Sequence, residues 1–373
     1  MNASQQQSVP QRQSAPLTTV TSRPRRDADT LTPMMLRRGL TVFVGAILAL
    51  LLSLGMALLP VPYVALGPGP TVNTLGSRDG HEIVTVTGTP TSTSKGHLNL
   101  TTVSVSPDLN LGNALVGWLD GTVAVVPREV VYPPGETRQQ VNQENAQAFK
   151  DSQTSAETSA LRKLGYPVEV TVSKVAPGSP SSGKLAVGDV LTSVDGTVVT
   201  SGAKLRALLA TKQPRQAVKI GYQRGTAKGT ASITLARSDD DGRPLLKIET
   251  KDAQPHPFQV SFDLDKIGGP SAGLMFALAV IDKVKPEDLT GGKFIAGTGE
   301  IDDDGNVGPI GGIAQKMVAA KRAGATVFLV PAGNCLEAVG ATPDGLELAR
   351  VQTLDEALAA LTDIRANRRP RSC

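Results

Sequence analysis

Apolar positions are unevenly spread along this chain. Residues 39–59 run without a single charge, long enough as a helix to cross a bilayer core of about 30 Å. A buried core helix would give the same run, but nothing later in the chain matches its length. A cleaved signal sequence is the closer alternative, although its charged region would be unusually long and its apolar region longer than the usual stretch of about 7–15 residues. The run therefore predicts an uncleaved membrane anchor. Residues 1–38 ahead of it are rich in Gln, Ser, Thr, Pro and Arg, a composition that predicts disorder.

After Pro60 the pattern changes to short Val/Thr/Leu runs separated by Gly, Pro and Asn, and residues 81–86, 98–105 and 122–126 read as strands. Residues 139–164 form a polar helical stretch closed by Gly165, a C-terminal cap. The segment 60–164 either stands alone or completes the sheet of a later domain. We favour the second, because little strand signal lies between Arg243 and Ser271. Residues 165–238 then show a strand at 168–172, turns at Pro177-Gly178-Ser179-Pro180 and Asp195-Gly196, a strand at 188–194, a helix near 202–211 carrying Leu205, Leu208 and Leu209, and two further strands. Within 243–363 the spacing predicts an apolar helix over 274–281, a buried strand over 325–331 and a helix over 354–361. The arginine-rich end, 364–373, reads as a solvated tail. The fold class is a multidomain mixture of α+β and α/β architecture with one N-terminal transmembrane helix.

Charge orients the anchor. Arg12, Arg23, Arg25, Arg26, Arg37 and Arg38 precede it against Asp27 and Asp29, and the first basic residue after it is Arg78. The tail is thus expected in the cytoplasm and everything after Pro60 outside, in a single-pass protein of the cell membrane. A net charge of +4 without a basic stripe, and 3% aromatic residues, argue against nucleic acid as a partner. No Gly-x-x-x-x-Gly-Lys-[Ser/Thr] phosphate loop occurs, so no ATP chemistry is expected. The two cysteines, Cys335 and Cys373, make no metal site and no disulfide framework; whether they pair is left open. No cofactor is implied.

The candidate chemistry lies between Gly268 and Lys316. Gly268-Gly269-Pro270-Ser271-Ala272-Gly273 is a tight turn feeding the apolar helix, with a serine where turn becomes helix. A helix start offers unpaired N–H groups and a positive dipole end, so an oxyanion beside Ser271 would find donors in place. Pro270 has no N–H, which leaves Ser271 and Ala272. A serine hydroxyl needs a base, and His81, His97 and His256, the three histidines of the chain, sit in no comparable glycine-framed turn. Lys316 does better. On a helix beginning near Ile313 its neighbours three and four residues away are Gly312, Ile313, Ala319 and Ala320, while Gln315, Lys321 and Arg322 fall on other faces. An ammonium on that stripe loses hydration, and its pKa should fall from about 10.4 toward neutrality. Alone, the turn reads most simply as a structural helix start and the lysine as a side chain reaching for water. Together, with Thr298-Gly299-Glu300 between them at a strand end, they point to a site.

These segments, with Gly305-Asn306-Val307, Pro309-Ile310-Gly311-Gly312 and Ala319-Ala320, resemble the signature of the Lon protease proteolytic domain over about residues 245–363. The resemblance implies a Ser-Lys dyad with Ser271 as nucleophile, Lys316 as general base and Thr298 orienting the lysine. It also implies protein or peptide substrates, exported or membrane-bound given the topology, and assembly into a homo-oligomer. One departure stands out: where many Lon proteases carry an aspartate two residues before the proline, this chain has Gly268. Residues 165–238 resemble a PDZ domain through their Gly-Ser-Pro, Leu-x-x-Gly-Asp and Val-Asp-Gly segments. PDZ domains add a peptide to a sheet edge and hold its carboxylate on backbone N–H groups. The resemblance places that loop at Gly165, Tyr166, Pro167 and Val168, with Leu205 and Leu208 lining the groove. The expectation is a membrane-anchored, ATP-independent serine endopeptidase with the lipid bilayer as a further partner. The alternative is an inactive protease-like domain serving as a tethered PDZ adaptor.

Overall fold

A computed structural model describes residues 32–264 and 268–373, which fall into two units, one up to Leu59 and one from Pro60 onward. Most of the expected tail, residues 1–31, lies outside the described residues. In the first unit, helix α1 spans Thr32–Ala57. It begins seven residues before the apolar run because Pro33, in the first turn, needs no intrahelical N–H partner. It ends short of Leu59, since Pro60 disfavours helical backbone in the residue before it. Its stretch Arg38–Ala57 is apolar and long enough to cross a membrane, and none of it is buried by protein.

The second unit begins with β1 (Tyr63–Asn73), β2 (Val84–Thr87) and β3 (His97–Ser106). Next come α2 (Leu111–Leu119), β4 (Ala124–Pro127) and the long helix α3 (Arg138–Lys163). Thr137 opens α3 with a reciprocal capping box to Gln140, and Gly165, at φ +95°, follows its end. A second sheet contains β5 (Glu169–Val175), β6 (Val190–Val194), β7 (Ala217–Arg224), β8 (Ala227–Thr234) and β9 (Ile248–Ala253), with α4 (Gly202–Ala210) between β6 and β7. After β10 (Gln259–Phe262) come α5 (Gly273–Val284), β11 (Phe294–Gly297) and the short pair β12 (Glu300–Ile301) and β13 (Val307–Gly308). The chain finishes with α6 (Ile313–Ala323), β14 (Val327–Pro331), α7 (Cys335–Gly340), β15 (Glu347–Val351) and α8 (Leu354–Arg365).

One six-stranded sheet runs β15-β14-β11-β3-β1-β4. Its members β1, β3 and β4 precede the second sheet in sequence, and β11, β14 and β15 follow it. The two groups meet where β3 pairs in parallel with β11, Phe294 opposite His97 through Gly297 opposite Leu100. The second sheet, β8-β7-β6-β5-β9, is therefore an insertion between two halves of the first. Two strands, β9 and β10, lie in the stretch 243–271 where the sequence showed little strand signal: β9 is half charged and neither has a fully buried residue, and β10 is only four residues long.

Helix α5 is buried from Gly273 to Lys283, as its apolar run 274–281 requires, with Asp282 and Lys283 buried at its end. It packs among α3, α8 and the larger sheet, and Leu274, Phe276, Leu278 and Ile281 share one core with Phe149 and Ala156 of α3. Pro286 stops it. Although α3 is polar overall, it contributes a stripe of Phe149, Ser152, Ala156 and Ala160 at helical spacing. The C-terminal segment is not a solvated tail: Pro370 is buried, the Arg350 N–H donates to the Arg371 carbonyl (2.8 Å), and Cys373 is disulfide-bonded to Cys335. The segment thereby covers β15, an edge strand with unpaired backbone groups to satisfy.

Candidate active site

The serine turn is tied to the fold at both ends. Gly269 adopts φ +87°, open to glycine at no steric cost, and its N–H donates to the Asn145 carbonyl of α3 (2.9 Å). The Ser152 hydroxyl, also on α3, donates to the Pro270 carbonyl (2.8 Å). On the other side, the Ser271 carbonyl accepts from the Gly299 N–H (2.9 Å) and the Thr298 hydroxyl (2.9 Å), and the Leu274 N–H donates to Gly299 (3.1 Å). Gly273 leaves no room for a side chain, because a Cβ there would lie 2.8 Å from both Ile301 Cγ2 and Ser152 Oγ. Ser271 thus sits two residues ahead of α5. Among the described residues its own N–H and that of Ala272 have no acceptor, so both remain available as donors at the helix start.

The structure brings Lys316 to this turn. Its Nζ lies 2.8 Å from Ser271 Oγ and 3.0 Å from Thr298 Oγ1. Gly312 opens α6 in the left-handed region at φ +69°, and the Lys316 N–H donates to its carbonyl. The loop before α6 is clamped by buried Asn334, which accepts from the Ile310 N–H (2.9 Å) and donates to the Ile310 carbonyl (2.8 Å). Lys316 is 3% exposed. Burial strips its ammonium of water and pushes its pKa down to about 8, opposed by the nearby negative charge of Glu300. Gln315, expected on another face, is buried as well.

Thr298 is more than a spacer in this arrangement. Its hydroxyl proton is committed to the Ser271 carbonyl, so its oxygen faces Lys316 as an acceptor. A neutral amine that donates one N–H to Thr298 turns its lone pair toward Ser271 Oγ and can take the hydroxyl proton. The pair lies in a cleft of about 810 Å³ walled by residues 102–105 of β3 on one side and by Asn142 and Asn145 of α3 on the other. Beyond Leu100, β3 has no partner on its β11 side among the described residues. No cluster of three or more His, Cys, Asp or Glu side chains able to hold a metal occurs among the described residues.

Sequence reasoning missed Asn145, Ser152 and Asn334, which position the turn and the loop. Each is a polar residue whose partner is a distant backbone group, a relation that leaves no local spacing to detect. Gly268 also acquires a reason. A Cβ there would meet Asn145 Cβ at 3.1 Å, so α3 crowds the space an aspartate would need.

The expected peptide loop is a correction. Gly165, Tyr166, Pro167 and Val168 lead into β5, which is paired on both sides, with β9 and with β6, and cannot accept another strand. Tyr166 instead packs against His256 and Phe258, and its carbonyl accepts from Gln254 (2.7 Å). Leu205 is buried in the core of the inserted domain, with Leu208 packed partly against it. The edge strands of this sheet are β8 and, on the side of β5, β9. Strand β9 lies beside α4, where the Gly202 N–H donates to the Asp252 carboxylate (2.8 and 3.0 Å). Asp189 of the Gly-Asp segment is structural: it accepts from the Ala186 N–H and is paired through both oxygens with Arg224, which holds its carboxyl below the usual range.

Comparison with known proteins fits this division. Residues 265–363 match the Lon protease (S16) C-terminal proteolytic domain, and residues 140–235 match a PDZ domain. The C-terminal part of this chain is a Lon-type proteolytic domain. Lon protease 1 of Sorangium cellulosum is 34% identical over 145 residues, 38% of this chain and 17% of that protein. Lon protease 2 of Bacillus subtilis is 34% identical over 119 residues, 31% and 21% of the two chains. The archaeal Lon protease of Methanocaldococcus jannaschii is 35% identical over 106 residues, 28% and 16%. The matched part thus spans about a fifth or less of these relatives. Among solved structures, the PDZ domain of the SdrC-like protein of Listeria innocua is 31% identical, covering 24% of this chain and 99% of that one, with a TM-score of 0.22. The matched domain is a proteolytic domain, and the PDZ match includes most of α3, the helix that holds its serine turn.

Proposed function

We propose that this protein is a membrane-anchored serine endopeptidase acting through Ser271 and Lys316 without ATP. The observation that carries the reading is the 2.8 Å approach of a buried lysine amine to a serine hydroxyl in an open cleft. Ser271 Oγ attacks the scissile carbonyl carbon while its proton passes to Lys316 Nζ. The tetrahedral oxyanion is held by the Ser271 and Ala272 amides. Collapse breaks the C–N bond, Lys316 returns the proton to the departing amine, and water hydrolyses the acyl-serine by the same route. Thr298 is the positioning residue that fixes the amine.

Three features support the finer parts of this reading. The arginine excess before α1 favours a cytoplasmic N-terminus. The Cys335–Cys373 disulfide fits an oxidising compartment for the domains after Pro60. For the PDZ module, the unpaired edge of β9 beside α4 suits an added peptide strand. The test uses the full chain in detergent micelles with fluorescein-labelled casein. Ser271→Ala and Lys316→Met should each abolish turnover while retaining the wild-type fold by circular dichroism. Undiminished cleavage by either purified variant refutes the assigned roles.

A further inference from the structure

Helix α2 carries no charged residue and is not fully covered by protein. Ala114 and Gly117 are its buried face, and Gly117 permits the close approach, since a Cβ there would meet Val125 Cγ2 at 2.7 Å. The opposite face leaves Leu115 50%, Val116 67%, Trp118 53% and Leu119 88% exposed. Val130, 67% exposed, adds to the apolar surface of this region. Adjacent apolar residues on one helix face need a partner.

What covers the face follows from where the chain places it. Pro60 forms a bridge with Asn110, and the Val61 N–H donates to the Leu109 carbonyl (3.0 Å). Asn110 is the N-cap of α2 and accepts from the Asn113 N–H (2.8 Å). Val130 is held to the same exit segment, because the Arg128 N–H at the start of its turn donates to the Pro62 carbonyl (3.0 Å). Helix α1 ends at Ala57. Three residues of chain reach at most about 11 Å, and the eight residues from Asn110 to Trp118 rise about 12 Å. The path along the chain from the end of α1 to the apolar face is therefore short. A tryptophan above a leucine-rich, uncharged helix suits the boundary between headgroups and acyl chains.

We propose that α2 is a second, interfacial membrane contact, with Val116, Trp118 and Leu119 seated in the lipid surface next to the anchor. This rests on the reading of α1 as a membrane span. With no charge on the helix, α2 itself contributes no headgroup-charge dependence to the contact. It would add an in-plane attachment to the single span and restrict rotation of the peptidase about its tether.

Trp118 is the sole tryptophan of the chain, so its emission reports on α2 alone. The full chain is reconstituted into phosphatidylcholine vesicles with or without lipids brominated near the headgroup end of the acyl chains. The expected result is emission about twofold lower in brominated vesicles, as for tryptophans at the interface, with weak quenching by aqueous acrylamide. In Val116→Glu/Leu119→Glu, which changes only exposed positions, the bromolipid effect should vanish and acrylamide quenching should rise. Trp118 of the parent chain wet and untouched by bromine overturns the contact, and so does shielding from both quenchers, which would mean a second copy of the chain covers the face. Flotation separates the premises: protein that fails to float with vesicles, or is released by alkaline carbonate, sinks the anchoring reading and this one with it. Protein that floats with unquenched Trp118 sinks this one alone.

Discussion

If Lys316 is the base, activity must follow its neutral form. With a pKa of about 8, about 9% of the amine is neutral at pH 7 and about 91% at pH 9, so kcat/KM should rise about tenfold across that interval and flatten above it. A lysine with the ordinary value of 10.5 would be about 0.03% neutral at pH 7, roughly 300-fold less, and would gain about a hundredfold over the same interval with no plateau. The perturbation that tests the cause is Glu300→Gln. Burial lowers the pKa and Glu300 opposes it, so removing the carboxylate moves the rising limb to lower pH. The assay is initial-rate cleavage of labelled casein by the full chain from pH 6 to 10, with substrate below saturation so that free-enzyme pKa values are read. A limb unmoved in Glu300→Gln, or a profile still climbing tenfold per unit at pH 10, would refute the electrostatic account of the amine.

Three further outcomes follow from the same contacts. Lys316→Met should be inactive yet more stable: the ammonium is disfavoured in the folded state by up to about 3 kcal/mol, a cost fully present below pH 8, shrinking as pH rises toward 10.5 and gone above it. The thermal midpoint difference between the two proteins measured at pH 7 and pH 10.5 checks both sign and window. Thr298→Val removes the acceptor for Lys316 and a donor to the Ser271 carbonyl, and should lower kcat about 10- to 100-fold, with KM little changed in steady-state kinetics. Cys335→Ser opens a 38-residue separation and should cost up to about 4 kcal/mol by the loop-entropy estimate, seen as a lower thermal midpoint that reducing agent reproduces in the parent chain but not in the variant.

The parts of this protein that could be read from sequence are those written locally. The charge-free run of α1, the apolar run of α5 and the glycine-framed turn before it are contiguous, and the lysine stripe of α6 has a fixed period. Partnership between distant strands has no such record. Val170 and Val172 announce a buried strand, but nothing in them says that β9, about eighty residues later, occupies one side of it. Hence the peptide groove was expected at residues 165–168, beside a strand with no free edge. The tail failed for a related reason: arginines suggest solvent, whereas a disulfide ties the segment to Cys335 at the start of α7 and a backbone hydrogen bond ties it to β15.

The glycine at 268 and the insertion of the PDZ domain are best understood together. Helix α3 supplies Phe149 and Ala156 to the peptidase core, Asn145 and Ser152 to the two hydrogen bonds that hold the serine turn, and then runs on to Lys163. Arg162 near its end donates to the Thr200 carbonyl, just before α4 (2.7 Å). A side chain at position 268 would meet Asn145 Cβ at 3.1 Å, so a carboxylate there asks α3 or the turn to give way by a few tenths of an ångström. Control of the turn that a carboxylate could exert through its charge is here exerted through packing, by the element that also carries the inserted domain.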